Sequence, residues 1–243
     1  MEIKSKTALV TGGALRVGRA IALELAKEGC NILLHYFMSE NPAKQTCEEI
    51  KALGVTCSLI QADLSHPDEI TKMTHEISKN HKNVDILVNS ASLFFKTPAD
   101  TVSEADWERM MDANLKGPFL LSVQIGKEMV KNKSGKIVNI ADWSGFRPYL
   151  NYLAYCTSKG GLITLTKALA PDLAPHVCVN AVAPGPVMTP AYMSEQEKEA
   201  VAKTTALGHW GKPEDVAYAV KFFIQNDFVN GTVLVVDGGR SLV

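Results

Sequence analysis

The chain has 243 residues, 46% of them apolar and 21% charged, with a formal net charge of −1 at pH 7. This length and composition suit one sizeable globular core, and the near-zero charge leaves no basic field to hold nucleic acid. No apolar run reaches the roughly eighteen residues of a membrane span.

Strand and helix signals then alternate along the chain. The opening Met1-Glu2-Ile3-Lys4 lacks the apolar stretch of a secretory signal and leads into a short apolar run at 7–11. Gly12-Gly13 stops that run, and helical periodicity follows over 17–28. Residues 31–36 read as a strand, and Asn41-Pro42 supplies an N-cap and a first-turn proline for a helix to about Leu53. A strand at 56–61 precedes a helix that Ser65 can cap, and 86–89 reads as a buried strand. A long helix is expected over 103–131, with Thr101 and Glu104 at capping-box spacing and a kink at Gly117-Pro118. Strands at 136–140, 178–182 and 233–236 and helices at 152–173 and 213–224 complete the pattern.

Seven strand candidates of continuous Val, Ile and Leu character, separated by helices, predict a doubly wound Rossmann-type α/β fold. Its sheet should be parallel and seven-stranded, with helices on both faces, and 1–243 should form one unit. The irregular stretch at about 186–212 is long enough for a substrate lid. Its Met188, Tyr192, Met193 and Trp210 suit a flat ring or an acyl chain, while 195–203 reads as a solvated helix. The five cysteines, Cys30, Cys47, Cys57, Cys156 and Cys178, show no CxxC spacing and read as reduced thiols of a cytoplasmic protein. His75 and His81 are too far apart to share a helix face, so no metal is expected.

The first strand ends in Thr11-Gly12-Gly13-Ala14-Leu15-Arg16-Val17-Gly18. A glycine turn feeding a helix N-terminus directs backbone N–H groups and the macrodipole at a pyrophosphate. Gly12 permits the tight turn, Gly18 permits close helix–strand packing, and Arg16 replaces the usual middle glycine with a fixed cation. The second strand ends in His35-Tyr36, with none of the carboxylates that NAD-specific sites use for the ribose hydroxyls. Tyr36 and Ser39 can donate hydrogen bonds there and Arg16 adds charge, so NADP(H) fits better than NAD(H); Met38 offers a 2′-phosphate no charge. Asp63-Leu64 and Asn89-Ser90-Ala91 follow the third and fourth strands, where they would meet the adenine and its ribose. Plain strand-end roles are the alternative for His35, Tyr36, Asp63 and Asn89.

Tyr155 and Lys159 stand four apart on a predicted helix and so share a face. A nearby ammonium favours the phenolate, which would lower the tyrosine pKa and suit it to general-acid work. With the glycine turn, Asp63, Asn89-Ser90-Ala91, Asn114, Tyr155-Cys156-Thr157-Ser158-Lys159, Pro184-Gly185 and Asp237-Gly238-Gly239, the whole chain resembles the short-chain dehydrogenase/reductase family. The resemblance implies that Lys159 also binds the nicotinamide ribose, that Asn114 holds a relay water, and that Pro184 and Gly185 border the nicotinamide. The residue before Gly18 in the turn, Val17, joins the same cofactor set. A homotetramer or dimer, built on the helices near 103–131 and 152–173, is implied as well.

One departure narrows the resemblance: Asp142 stands where the family usually has a serine. An ionised carboxylate can only accept a hydrogen bond and would repel a forming oxyanion. The alternatives are a substrate that presents nitrogen, a buried and protonated Asp142, or Ser144 acting in its place. With Arg16 and the run from Asn89 to Phe95, Asp142 makes the chain similar to the pteridine reductase branch. That likeness implies a catalytic set of Asp142, Tyr155 and Lys159, with Arg16, Ser92 and Phe94 touching a pterin-like substrate. For Phe94, stacking on substrate and plain core packing are both open. A 3-oxoacyl-carrier-protein or other ketone reductase is the alternative activity, and a noncatalytic cofactor-binding regulator is the third reading.

Overall fold

A computed structural model describes residues 1–81, 83–189 and 193–243. The strands are β1 (Thr7–Val10), β2 (Asn31–Tyr36), β3 (Cys57–Gln61), β4 (Ile86–Asn89), β5 (Gly135–Ile140), β6 (Val177–Pro184) and β7 (Val233–Val236). They form one sheet in the order β3-β2-β1-β4-β5-β6-β7, with every adjacent pair parallel. The helices are α1 (Arg16–Lys27), α2 (Glu40–Ala52), α3 (Pro67–Asn80), α4 (Glu104–Met111), α5 (Gly117–Lys131), α6 (Leu153–Asp172), α7 (Glu195–Ala202) and α8 (Pro213–Gln225). The predicted seven-stranded, doubly wound sheet is therefore what this chain forms.

Alternate residues of each strand feed two cores. Val10, Leu34, Val88 and Val138 meet Ile21 and Leu25 of α1 and Val220 and Phe223 of α8. Leu9, Leu33, Leu87 and Ile137 meet Ile70 of α3 and Leu121 and Met129 of α5. Each such side chain, fully buried, contributes about 1.5–3 kcal/mol. Burial on both faces is why the strands read as unbroken apolar runs rather than alternating ones.

Several boundaries differ from expectation. The 103–131 helix is two helices joined by a π-helical segment, Asp112–Lys116, which contains Asn114. The break lies there rather than at Pro118, which sits in the first turn of α5, where a missing N–H costs nothing. Ser103 and Asp106, not Thr101 and Glu104, form the capping box of α4. Ser39 is the N-cap residue of α2, two places before Asn41, and His66 rather than Ser65 precedes α3. In the latter case the Ser65 hydroxyl is drawn to Asp63 at 2.7 Å instead.

The chain leaves β1 toward β2 on one side and reaches β4 on the other. This reversal opens a crevice at the carboxyl ends of the strands, the usual place for a ligand in a doubly wound sheet.

Candidate active site

A cleft of about 570 Å³ occupies that crevice. Its cofactor end is the β1–α1 turn. Gly12 has φ +62°, and a Cβ there would lie 2.9 Å from the Ala91 Cα. A Cβ on Gly18 would lie 2.3 Å from the Gly12 carbonyl oxygen. Both positions therefore exclude any side chain. The N-cap residue of α1, Leu15, provides no side-chain cap, so the first helical N–H groups are left for a ligand. Arg16 is exposed and has φ +55°, the left-handed conformation of the glycine it replaces.

Thr11, not singled out as a site residue from sequence, ties this turn to the next strand. Its hydroxyl donates to the Val88 carbonyl and accepts from the Ser90 and Ala91 N–H groups at 2.9 and 3.0 Å. His35 does the same from the other side. Its Nδ1 accepts from the Gly12 N–H at 3.2 Å, so Nε2 carries the proton and donates to the Ala62 carbonyl at 3.0 Å. Burial pushes its pKa down to about 4, keeping the ring neutral. The His35 side chain is thus a buttress beneath the turn, pointing into the protein at 2% exposure.

Other expected contacts also lie off the cleft wall. The Asp63 carboxylate accepts from the Ser65 N–H and hydroxyl through Oδ1. Leu64 and Tyr36 are buried in the cores, while Ser39 is partly exposed beyond β2. Asn89 is buried and donates to Ser122 and Asn139. Asn114 is fully buried, and its amide bonds to Ser92, Leu93, Met110 and Ser158. It accepts from the Leu93 N–H at 2.7 Å and donates to the Leu93 carbonyl at 2.9 Å. Its side chain thus ties Leu93 to Ser158 of α6. Gly12, Arg16, Val17, Gly18, Ser90, Ala91, Pro184 and Gly185 do line the cleft, as do Ser92 and Phe94.

At the chemical end, Asp142 leaves β5 and caps the 3₁₀ turn Trp143–Gly145, its Oδ1 accepting the Ser144 N–H at 2.8 Å. The Tyr155 hydroxyl donates to Asp142 Oδ2 at 3.0 Å. One helical turn on, Lys159 donates to the Ile140 carbonyl at 2.9 Å, with its Nζ 5.7 Å from the Tyr155 ring centre. Ser144 is fully buried behind the wall and cannot replace Asp142 in the cleft.

The electrostatics differ from the sequence expectation. Burial, and then the Asp142 charge, push the Tyr155 pKa well above that of an ordinary phenol. The phenol oxygen faces the carboxyl group, whereas the ammonium is drawn to a backbone carbonyl. Burial also lowers Lys159 to about 8, against the attraction of Asp142. Burial raises Asp142 above the usual carboxylate range, opposed by the Ser144 N–H and the Lys159 charge. Asp142 is therefore biased toward the carboxylic acid, a form that donates as a hydroxyl would.

This raised pKa predicts a stability effect. The penalty for ionising Asp142 in the fold is absent below the ordinary value of 3.8 and grows as pH rises through the folded pKa. Asp142→Asn should therefore melt above the wild type at pH 8, with the gap closing toward pH 4. Thermal melts at the two pH values test this, and a lower melting point for the variant at pH 8 would contradict it.

Aromatic rings wall the substrate end. Phe94 is 52% exposed, stacks on Tyr152 with ring centres 4.6 Å apart, and meets Tyr155 edge-on at 4.7 Å. Phe95 instead packs against the cluster around Met110. Tyr149 accepts from Trp143 Nε1 at 2.5 Å. Met188, Met193 and Trp210 of the expected lid line the cleft, and α7 within it buries none of its residues. Tyr192 lies outside the described residues. Tyr149, Tyr152 and Arg240 also line the cleft and were not expected there.

Comparison with known proteins agrees with this layout. A family model described as short chain dehydrogenase matches residues 6–200. A 3-oxoacyl-[acyl-carrier-protein] reductase of Aquifex aeolicus is 38% identical, covering 98% of this chain and 99% of that protein. The corresponding Staphylococcus epidermidis protein is 35% identical, over 97% and 98%. A solved structure of a candidate gluconate dehydrogenase from Agrobacterium tumefaciens superposes with a TM-score of 0.94 at 31% identity, covering 100% of this chain and 98% of that one. These relatives back the ketone-reductase alternative better than the pteridine reductase branch.

Proposed function

Because the chain belongs to the short-chain dehydrogenase family, and is thus an oxidoreductase, we propose that it reduces the ketone of a 3-oxoacyl thioester with NADPH. The observation that carries this reading is the Tyr155 hydroxyl 3.0 Å from Asp142, above a buried Lys159. The nicotinamide, when bound, supplies the hydride. Gly12, Val17, Gly18 and Ala91 suit its dinucleotide part, and the steric demands at Gly12 and Gly18 support that fit. Arg16 and the absence of an acid at 36–39 favour the 2′-phosphate form.

Tyr155 delivers a proton to the carbonyl oxygen as negative charge develops there. Burial draws Asp142 toward its carboxylic acid form, and in that form it would offer an O–H to the same oxygen instead of repelling the charge. The ammonium of Lys159 favours negative charge on the Tyr155 oxygen once the proton has left.

A second reading, reduction of a pterin-like heterocycle, is favoured by Asp142 itself. Its carboxyl group can accept N–H groups from a ring, and the exposed face of Phe94 can stack on one. Steady-state assays with NADPH or NADH, following the nicotinamide band, test both readings. Acetoacetyl thioester is expected to be turned over, with NADPH preferred. Turnover of dihydrobiopterin alone would overturn the lead reading. Asp142→Ser should keep or raise thioester activity, whereas under the second reading it should abolish pterin activity.

A further inference from the structure

The cleft also carries a cation that the proposed reaction does not use. Arg240 opens the 3₁₀ turn Arg240–Leu242 just after β7. Its guanidinium lies 4.8 Å from the Trp143 ring centre and 6.0 Å from that of Tyr149, and the residue lines the same cleft as Asp142 and Tyr155.

The turn is built to hold it there. Asp237, the acid nearest in sequence, accepts the Gly239 N–H at 2.8 Å and the Ser241 N–H at 2.7 Å through its carboxylate. Gly238 and Gly239 both have positive φ, +63° and +76°, which lets the chain wrap around that carboxylate. Asp237 is therefore committed to the backbone and leaves its neighbour's charge uncompensated. Among the described residues, no carboxylate lies within ion-pair distance of Arg240, and its side chain makes no hydrogen bond. Asp142, on the same cleft wall, is engaged by Tyr155 and the Ser144 N–H. The guanidinium is held beside the indole and, farther off, the phenol, and its five donors remain for a ligand.

We propose that Arg240 anchors an anionic group of the substrate, a carboxylate or a phosphate, and so selects which ketones reach Tyr155. This rests on the reductase reading for the word substrate, but the binding claim stands without turnover. A planar fork facing a cleft suits an oxyanion, which it can hold by two parallel N–H···O bonds.

The test uses the full chain with oxidised NADP present and calorimetry as the readout, alongside assays with NADPH. One pair of probes is 4-oxopentanoate and 5-oxohexanoate against their methyl esters. The other is acetoacetyl coenzyme A against acetoacetyl-N-acetylcysteamine, which lacks the pantetheine phosphate. The wild type should bind the anionic member of at least one pair about ten- to a hundredfold more tightly. Arg240→Met should remove that preference and leave the neutral member unchanged, and Arg240→Lys should keep part of it. Loss confined to the oxo acids identifies a carboxylate ligand, and loss confined to the coenzyme A pair identifies the phosphate. Equal affinity within both pairs, no binding of any probe, or an equal loss for charged and neutral members would overturn the proposal. Circular dichroism and the Lys variant separate a binding defect from misfolding. Binding that depends on Arg240 without turnover would leave the anchor standing and count against the reductase reading.

Discussion

Tyr155→Phe is expected to lower kcat/KM by about 10²–10⁴, the usual share of a positioned general acid. At 25 °C that is a loss of about 3–5.5 kcal/mol of transition-state stabilisation. The change deletes one oxygen and keeps the ring, which packs edge-on to Phe94 and within the cluster of Met110, Ala154 and Cys156. Stability and cofactor affinity should therefore change little, and the defect should lie in kcat. Single-turnover measurements with saturating NADPH isolate the chemical step. A loss under tenfold there would move the proton-donor role to another group, with Asp142 the first candidate because it shares the hydrogen bond.

Gly18→Ala should be the most damaging conservative change at the cofactor end. The added methyl would lie 2.3 Å from the Gly12 oxygen and 2.8 Å from the Gly12 carbonyl carbon. Those are backbone atoms of the turn itself, so relief requires α1 to lift away from β1. Overpacking of this kind costs about 1–3 kcal/mol, or about 2–4 °C in melting temperature for each kcal/mol in a chain of this size. The displaced turn should also raise the NADPH dissociation constant at least about tenfold, the equivalent of 1.4 kcal/mol. A fluorescence titration reads this directly. Lowered stability with unchanged cofactor affinity would mean the phosphates bind elsewhere.

The sequence made the Tyr155–Lys159 pair and the glycine turn legible because each depends on local spacing, a helical repeat in one case and a strand–turn–helix order in the other. It was less informative where direction decides. His35 and Tyr36 end a strand at the crevice, yet both are buried, because the sheet is covered on both faces. Asp63 sits where an adenine contact is expected, and the sequence did not show that Ser65, two residues on, bonds one of its carboxylate oxygens. The π-helical segment around Asn114 changes hydrogen-bond register without changing apolar periodicity, so only Gly117-Pro118 suggested a break. Lys159 was read as lowering the tyrosine pKa because helical spacing shows proximity but not that Asp142 faces the phenol oxygen more closely. Arg240 was missed although a signal existed: an acid followed by two glycines marks a tight turn whose next side chain must be thrown to one side.

The neutral imidazole of His35 has a consequence for how a ligand is captured. It links the Gly12 turn to Ala62 beyond β3, while Thr11 links the same turn to Ser90 and Ala91 beyond β4. The loop that would receive the phosphates is thus stitched to both neighbouring strands during folding. Fixing a backbone residue costs about 1–2 kcal/mol in conformational entropy, and here that ordering precedes the encounter instead of opposing it. Association at this end should resemble docking onto a rigid surface, with the kinetics of diffusion rather than of loop closure.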